Sequence, residues 1–547
     1  MSLLKVDEIQ KLNGDDFFGD AVRNLPTLVS AVAATNLVVG DAINLAERIG
    51  GSGGGAMWDV VLSSGVTENT FNIVQCTGVP ALSLVLRIDG SINIRQLGAI
   101  GVAGTDDTLS IQFAMDSDYD VYLPAGGYPV SDLVLRKSKS MTWDEGAKLQ
   151  PFGQTGTFVF KIDGSINPDE EDAIRVNSNR IYIDGRSRQF PHQGLQLKRL
   201  LRSEFGEVTL NRVKSTGLNF VHSVKETTFD VIRAVDCGSS ASASSFNPAI
   251  DMTENGDAED AHNNIFVNSV FCVYSRGPDI VIDSFPGRAN NPRKIQFGKF
   301  FIHGHIEASD PVGDPLTTAE KDDRKQIIIG TAEQIHFGVG SLAFAANNAY
   351  SVHVTAGANG DTSRRSVHFD HLIMNNRFNF LGANSQYHGI HCQDGLLSIK
   401  GAEIGDGYTG FDAVKSLTGS ECIINPFDFS VLTGAVDIAD TQTMFVRNLD
   451  LDMGQGDIQN LRTLQAGASA MQFREGQSGS DKLAMEVRNS TNAVQAKVVQ
   501  QTFIEQKTLA LPTAANMILD GVASATAYDG TNLRWFDGTV WKTVTTT

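Results

Sequence analysis

The stretch INIRQLGAIGVAGTDDTLSIQFAMDSDYDVYLPAGGYPVSDLVLRKSKSMTWDEGAKLQ, from Ile92 to Gln150, decides the fold of this chain. It begins with alternating isoleucines, which predict a short strand, and continues into a Gly-rich loop. The loop ends in Thr105, Asp106 and Asp107, whose side-chain oxygens can cap the N-terminus of a helix. We therefore expect a short helix to begin directly after this loop.

The predicted helix has one apolar side. Its apolar residues are Leu109, Ile111, Phe113, Ala114 and Met115. The segment VYLPAGGY then returns the chain to a strand, which a Pro/Gly turn closes. The whole chain has 53 glycines and only 15 prolines, which favours many tight turns between strands. The composition and this segment together indicate a β-rich protein.

The same stretch resembles the opening motif of the pectate-lyase-like superfamily, a strand followed by FGAKGDGxTDDTxAIQxAI and then by VYLPAGxY. The matching residues are Leu97, Gly98, Ala99, Gly104, Thr105, Asp106, Asp107, Thr108, Ile111, Gln112, Ala114, Val121 to Gly126 and Tyr128. The resemblance implies an all-β fold, a right-handed parallel β-helix solenoid whose N-terminal end the motif caps. In that family the motif is structural, so we do not expect Asp106 or Asp107 to be catalytic.

Residues 1–90 precede the motif and form a separate N-terminal region. The segment LVVGDAINLAERIGGSGGGAMWDVV, from Leu37 to Val61, contains a glycine cluster that predicts a loop between short strands, with a flexible linker as the alternative. Its GGSGGGAMW segment also resembles the particle-binding part of phage tailspikes. This resemblance implies that residues 1–90 attach to other virion tail proteins and that the protein is a homotrimer.

Short apolar-alternating runs bounded by Asn, Gly, Asp or Ser recur through residues 91–460, which we assign to the parallel β-helix. Six run starts, Phe229, Ile265, Ile295, Ile335, Val367 and Leu397, are separated by 36, 30, 40, 32 and 30 residues. Each interval predicts one coil of the solenoid.

Residues 461–547 have a different pattern and predict C-terminal antiparallel β modules. Two turn signals, YDGTN and FDGTV, lie in a meander that carries Trp535 and Trp541. Exposed indoles can stack on sugar rings, or the two can instead pack in a trimer interface. The modules are therefore predicted to serve trimerisation or carbohydrate binding.

Charge and composition exclude several classes of partner. The formal net charge is −19, and no cluster of Lys and Arg is present, so we expect no nucleic acid partner.

The N-terminal segment MSLLKVDEIQ lacks a signal-peptide pattern, and no long apolar run occurs, so we expect neither secretion nor membrane insertion. Five widely spaced cysteines predict buried free thiols and no cofactor. We expect synthesis in host cytoplasm and assembly into a virion, which disfavours a secreted pectinase.

Strand alternation places candidate site residues on the outer surface of neighbouring coils. Aligning IQFG, IHFG and VHFD puts Gln296, His336 and His368 in one outward row, with Asp370 in the row beside it. In FFIHGHIEAS the same alternation exposes His303, His305 and Glu307 together. Eight of the eleven histidines lie between His303 and His391, although each can equally be a solvated surface residue. Their spacing predicts no metal site.

Two kinds of polysaccharide cleavage fit these residues. A hydrolase needs two carboxyl groups, for which Glu307 and Asp370 are the first candidates. The second candidate is the acidic loop with Asp251, Glu254, Asp257, Glu259 and Asp260, which can instead bind Ca²⁺ or remain solvated. A lyase needs a base and cationic groups, which His303, His305 and Arg377 could supply.

The sequence therefore predicts a phage tailspike that binds and degrades a bacterial surface polysaccharide. The predicted catalytic residues are Glu307, Asp370, His303, His305 and His368. The predicted substrate-binding residues are His336, Gln296, Arg377, Trp535 and Trp541. The alternative is a receptor-binding or structural tail fibre protein with the same fold and no activity.

Overall fold

The computed structural model describes residues 22–153, 156–166, 173–242, 245–254, 261–284, 291–304, 325–343, 350–355, 366–375, 388–392 and 396–404, and from there onward the strands given below. The chain divides into two compact units, Met1–Gln455 and Gly456–Thr547, and each is described by itself. Among the described residues, no helix is long and apolar enough to cross a membrane.

The N-terminal region is a five-stranded sheet in the order β1-β2-β3-β5-β4. Its strands are β1 (Val22–Leu25), β2 (Ala42–Glu47), β3 (Gly54–Leu62), β4 (Ile73–Gln75) and β5 (Leu82–Leu86), with helix α1 (Leu28–Val32) after β1. The glycine cluster forms the turn between β2 and β3, which pair antiparallel, so the predicted loop between short strands is confirmed. Gly51 and Gly53 take positive φ angles there, which favour glycine.

A buried arginine joins this sheet to the opening motif. Arg48 is 6% exposed, and its guanidinium donates hydrogen bonds to the carbonyl oxygens of Thr70, Phe71 and Gln96. Burial lowers the pKa of Arg48 to about 10, which leaves it charged at neutral pH. Because Gln96 belongs to the first turn of the motif, this one side chain fixes the end of the β-helix against the N-terminal sheet.

The opening motif forms strand β6 (Ser91–Asn93), a 3₁₀ turn (Ile94–Leu97) and helix α2 (Thr108–Asp116). Asp106 accepts a hydrogen bond from the amide of Thr108, as a capping residue should. The carboxylate of Asp107 instead accepts from the amides of Ile100 and Gly101, so it fixes the Gly-rich loop and does not cap α2 by its side chain.

The apolar side of α2 is narrower than the sequence suggests. Ile111, Ala114 and Met115 are fully buried, whereas Leu109 is 72% exposed and its assignment to the apolar side is wrong. Leu109 is two residues before Ile111, about 200° away around the helix axis, so it points away from the buried side. The buried side of α2 consists of Ile111, Ala114 and Met115, with Phe113 partly packed against the core.

A parallel sheet of 26 described strands follows, and it makes the chain an all-β parallel β-helix as predicted. Its first strands after β6 are β7 (Asp120–Leu123), β8 (Gly126–Val130), β9 (Leu133–Leu135), β10 (Lys139–Trp143), β11 (Ala147–Pro151), β12 (Phe158–Asp163), β13 (Val176–Asp184), β14 (Gln193–Leu201), β15 (Glu204–Asn211) and β16 (Leu218–Val235). A hairpin of β17 (Ser239–Ser242) and β18 (Ser245–Asn247) interrupts the series.

Short and long strands alternate from β19 to β26, and the described strands from β27 to β33 are all short. The strands are β19 (Ile250–Glu254), β20 (Asn263–Val273), β21 (Ile280–Ser284), β22 (Arg293–His303), β23 (Ile327–Ile329), β24 (Glu333–Ala343), β25 (Tyr350–Val354), β26 (Ser366–Asn375), β27 (His388–Cys392), β28 (Leu396–Ile399), β29 (Ala402–Ile404), β30 (Val414–Ser416), β31 (Glu421–Ile424), β32 (Val436–Ile438) and β33 (Phe445–Val446).

The second unit contains two antiparallel sheets of three described strands each. The first is β34 (Met471–Glu475), β35 (Lys482–Ser490) and β36 (Ala493–Lys497), and the second is β37 (Thr526–Tyr528), β38 (Leu533–Phe536) and β39 (Trp541–Thr543). Antiparallel pairing in this part of the chain is what the sequence predicts.

Strand register matches the predicted coils with one exception. Ile265, Ile295, Ile335, Val367 and Leu397 pair in order along β20, β22, β24, β26 and β28. The prediction that Phe229 starts the preceding coil is wrong by two residues, because Phe229 pairs with Val267. Phe229 is an inward residue, but it is the second inward residue of its coil. The prediction took it for the first one and therefore placed the start of the coil two residues late.

Aromatic side chains fill the interior of these coils. Phe297, Phe337 and Phe369 occupy successive inward positions, are fully buried, and stack with ring centroids 4.7 Å apart. Phe300 packs edge-on against the Phe337 ring at 5.6 Å. The spacing of the stacked rings is close to the distance between neighbouring strands, about 4.8 Å, so the column and the sheet reinforce each other.

One corner of the β-helix is built from non-glycine residues in the left-handed conformation. Glu226, Asn264, Lys294 and Gln334 occupy equivalent positions of consecutive coils, and their φ angles lie between 48° and 55°. Asparagine tolerates this conformation better than lysine, glutamate or glutamine, because its short polar side chain bonds to the local backbone. We call these four residues the corner ladder.

The corner ladder predicts a stabilising substitution. We expect Gln334→Asn to raise the free energy of unfolding by about 0.5–1 kcal/mol, since it relieves part of the left-handed strain and retains the amide. Gln296→Asn, the same change at an extended outward position, should give no gain. Unfolding temperatures measured at one scan rate check this, and equal shifts for both variants would contradict it.

Candidate functional site

The outward row predicted from the sequence is present on the surface of the β-helix. Phe266, Gln296, His336 and His368 pair in order on β20, β22, β24 and β26, and each lies between two buried apolar residues of its strand. Ser398 on β28 continues the row. Strand alternation therefore aligns an aromatic ring, an amide and two imidazoles along the β-helix.

Asp370 gathers three cationic or hydrogen-bonding groups at one end of this row. Its Oδ2 lies 3.0 Å from Nε2 of His336, and its Oδ1 lies 3.3 Å from Nε2 of His368. The ammonium of Lys400 donates a hydrogen bond to Oδ1 at 2.8 Å. The two imidazole ring centroids are 5.1 Å apart. We call these four residues the Asp370 cluster.

The local backbone explains why the cluster can form. His368 and Asp370 are two residues apart on β26, so both point outward while Phe369 between them is buried. Gly338 holds the position on β24 next to Asp370 and has no side chain to separate Asp370 from His336. A β-carbon at Gly338 would lie 2.1 Å from the carbonyl oxygen of Gly298, so the position also requires glycine for packing.

The cluster holds its carboxylate in the ionised form. The hydrogen bond from Lys400, helped by nearby His336, keeps the pKa of Asp370 below its usual value despite some desolvation. Partial burial and the positive charge of Lys400 lower the pKa of His368, which favours its neutral form. Asp370 is thus an ionised carboxylate in contact with both imidazoles and with the ammonium of Lys400.

A groove of about 370 Å³ extends from the cluster towards the N-terminal coils. Its lining includes Asn264, Phe266, Lys294, Gln296, Gln334 and His336. Phe266 is 37% exposed although it is a large aromatic residue on a polar face. The groove therefore combines an exposed ring with amides and an ammonium, a composition suited to a polar ligand with an apolar ring face.

Sequence reasoning missed three of these groups. Lys400 stands two residues after Ser398, just as Asp370 stands two residues after His368, so extending the alignment to LSIK would have found it. Phe266 was reachable in the same way from IFVN. Lys294 lies before the alternating residues of β22. It faces the groove because its backbone is left-handed, and strand alternation does not predict such a conformation.

The other predicted site residues do not join this cluster among the residues the structure describes. His303 lies at the opposite end of β22, pairs with Val273 and Ala343, and contacts the ring of Phe301 at 3.8 Å between centroids. Burial lowers the pKa of His303. His305, Glu307 and Arg377, and the side chains of Trp535 and Trp541, lie outside the described residues.

Of the five carboxylates of the acidic loop, those of Asp251 and Glu254 lie within the described residues. Glu254 is 2% exposed, and its carboxylate contacts His222 Nδ1 at 2.9 Å and His262 Nε2 at 3.6 Å. Asp251 accepts hydrogen bonds from Thr253. Glu254 is therefore a buried structural residue of the corner, while Asp257, Glu259 and Asp260 lie outside the described residues.

The fold and the surface row together define a class of protein, a parallel β-helix with a polar groove along its strands. No protein-family model and no curated protein matches the chain. Solved structures with a similar fold exist, and the more similar of them are phage tailspikes.

Three of these structures illustrate the likeness. The gp42 tailspike of Acinetobacter phage vb_AbaP_AS12 is 11% identical, with 93% of this chain and 98% of that protein covered at a TM-score of 0.51. The enzymatically active domain of tailspike protein 2 of bacteriophage CBA120 is 12% identical, with 79% and 63% covered and a TM-score of 0.49. The gp49 tailspike of Acinetobacter baumannii bacteriophage Fri1, a capsular polysaccharide depolymerase, is 10% identical, with 77% and 75% covered and a TM-score of 0.42.

At such identities the likeness shows the fold alone. The chain spans less than two thirds of the CBA120 domain, so that domain is not matched over its whole length. The Acinetobacter phage AS12 tailspike, in contrast, is matched over nearly all of both chains. The fold they share is the parallel β-helix.

Proposed function

We propose that this chain is a bacteriophage tailspike that binds a bacterial surface polysaccharide in the groove beside Phe266 and cleaves it at the Asp370 cluster. One observation carries the proposal: a carboxylate in contact with two imidazoles and an ammonium, on the same face of a β-helix as an exposed aromatic ring two coils from His336. The match to a phage tailspike over nearly the whole chain supports the same assignment.

The geometry suits an extended sugar chain more than a compact ligand. Neighbouring coils repeat every 4.8 Å or so, and each presents hydrogen-bonding side chains to the groove. Gln296 and His336 in the groove, with His368 on the next coil, offer both donors and acceptors to sugar hydroxyls, and Phe266 offers a flat apolar surface to a pyranose ring. A polymer lying along the coils can use all of these contacts together.

The cluster contains the groups needed for proton transfer. Asp370 can orient an imidazole or activate a water molecule, and either histidine can exchange a proton with a glycosidic oxygen. Hydrolysis needs a second carboxyl group, for which Glu307 remains our candidate, whereas elimination needs a cation such as Lys400 or Arg377 beside a uronate. Both reactions break the polymer, so we propose depolymerisation and leave the bond chemistry to experiment.

The remaining regions receive roles from the tailspike assignment. We propose that residues 1–90 attach the protein to the tail of the virion, that residues 91–460 bind and cut the polysaccharide, and that residues 461–547 hold a homotrimer together or bind carbohydrate. Analytical ultracentrifugation of the full chain should give the mass of three copies of the 58.9 kDa chain. A monomer would contradict the proposed trimer.

Incubation of the purified protein with capsule, exopolysaccharide and lipopolysaccharide from host bacteria tests the activity. New reducing ends without unsaturated products would indicate hydrolysis, and unsaturated uronate ends would indicate elimination. Binding to host cells with neither product would reject the enzyme and favour a receptor-binding protein without turnover. Failure to bind any surface polysaccharide would reject the whole proposal.

Substitution of the exposed ring tests the groove. We expect Phe266→Ala to weaken polysaccharide binding roughly fivefold, because it removes about 1 kcal/mol of stacking on a sugar ring. Phe301→Ala is a matched control, since Phe301 is 36% exposed but lies on a different part of the coil surface. Equal losses of affinity for the two variants, measured by surface plasmon resonance, would place the binding site elsewhere.

A further inference from the structure

We propose that His336, His368 and Asp370 form a binding site for a divalent transition-metal ion, with Zn²⁺ as the ion to test. One ligand atom of each residue lies within 4.8 Å of the other two. The inference concerns ion binding alone, and it stands whether or not the cluster cuts a polysaccharide.

The distances are near those that a bound ion requires. Two ligands bonded to Zn²⁺ at 2.0–2.1 Å with tetrahedral angles lie about 3.3 Å from each other. The contacts from Asp370 to His336 and to His368 are 3.0 and 3.3 Å. The widest separation within the group, at most 4.8 Å, must shorten to about 3.3 Å, which side-chain rotation can achieve because all three residues are about one third exposed.

The ligand types select the class of ion. Two imidazoles with one carboxylate suit Zn²⁺, Co²⁺, Ni²⁺ or Cu²⁺, whereas Ca²⁺ and Mg²⁺ prefer sites made of oxygen ligands alone. Three protein ligands leave at least one coordination position open to water or to a hydroxyl group of a ligand in the groove. We therefore expect Zn²⁺ to bind more tightly than Ca²⁺.

The positive charge of Lys400 opposes binding of the ion, so substitution of Lys400 tests the inference. Its ammonium is bonded to Asp370 and places a positive charge beside the position of the ion. The side chain is 65% exposed, so it can move into solvent when the ion binds. Removal of Lys400 should therefore increase the affinity for the ion, whereas removal of a ligand should decrease it.

Strand pairing fixes the backbone positions of the two histidine ligands before an ion binds. His336 and His368 are directly paired on β24 and β26, and Phe337 and Phe369 beneath them stack in the core. Such fixed backbones reduce the entropy lost on binding. Each imidazole must present Nε2 to the ion as an acceptor, so a neutral imidazole that donates from Nε2 to Asp370 has to move that proton to Nδ1.

Calorimetric titration of the metal-free full-length protein with ZnCl₂ tests the site. We expect saturable binding of one ion per chain, about tenfold or more weaker in Asp370→Asn and His368→Gln, and about tenfold tighter in Lys400→Met. His371→Gln is the control, because His371 lies on the same strand but not in the cluster, and it should bind as the unaltered chain does.

Co²⁺ provides a second readout that does not depend on heat or activity. Its visible absorption should show nitrogen and oxygen ligands in the unaltered chain and in Lys400→Met, and it should weaken in Asp370→Asn. The inference is overturned if neither the unaltered chain nor Lys400→Met binds Zn²⁺, if Asp370→Asn binds equally well, or if CaCl₂ competes at equal concentration. Circular dichroism confirms that each variant is folded.

Discussion

Asp370→Asn should reduce polysaccharide cleavage about a hundredfold to ten-thousandfold while leaving the protein folded. The carboxylate contacts both imidazoles and the Lys400 ammonium, and no other described carboxylate takes part in that cluster. Asparagine has nearly the same shape but no charge, so it cannot hold the proton-transfer groups or remain the acceptor for all three neighbours. The rate of product formation per mole of protein gives the effect.

The matched control for this substitution is Asp230→Asn. Asp230 is exposed on β16 between Phe229 and Val231, which pair with Val267 and Ser269. Its position is therefore equivalent to that of Asp370, four coils away. We expect its activity to remain within about twofold of the unaltered protein, because it lies outside the cluster. Similar losses in both variants would show that charge along the row, and not the Asp370 cluster, governs the activity.

The aromatic column predicts the largest effect on stability. Phe337→Ala should lower the free energy of unfolding by about 3–5 kcal/mol, since it empties the centre of a fully buried column of stacked rings. The cavity cannot close easily, because the strands above and below are fixed by parallel pairing on both sides. We expect a lower unfolding temperature and faster unfolding in denaturant.

Phe266→Ala provides the comparison for that experiment. The same atoms are removed, but Phe266 is 37% exposed and packs on the outside of the coil, so the loss should be below about 1 kcal/mol. Equal losses for Phe266→Ala and Phe337→Ala would contradict the inward and outward assignment on which the candidate site depends. The two variants therefore test the register of the coils as well as their packing.

Much of the fold could be predicted because one physical rule acts at every coil. Apolar residues alternate with polar ones, and the stacking of coils then aligns Ile295 with Ile335 and Val367. The same rule aligned Gln296, His336 and His368 without any coordinates. It failed at Phe229 because alternation alone cannot tell one inward position from the next inward position on the same strand.

The rest of the site depended on contacts that alternation does not encode. Whether Glu254 is solvated or buried is decided by its contacts with His222, which lies on the neighbouring strand β16, and with His262, which follows the acidic loop. Lys294 reaches the groove only because its backbone takes the left-handed conformation. Corners and their side-chain partners are set by tertiary packing, so a linear pattern predicts strands better than it predicts the residues between them.

The register of the coils has a consequence for how such a protein can evolve. The paired isoleucines and valines keep their partners although the number of residues from one coil to the next differs, being larger between Ile295 and Ile335 than between Ile265 and Ile295. Segments can therefore be lengthened, shortened or exchanged by recombination between the strands, with no repacking of the interior. For the tailspike that we propose, such an exchange would change the recognised polysaccharide in a single genetic step while the scaffold is inherited unchanged.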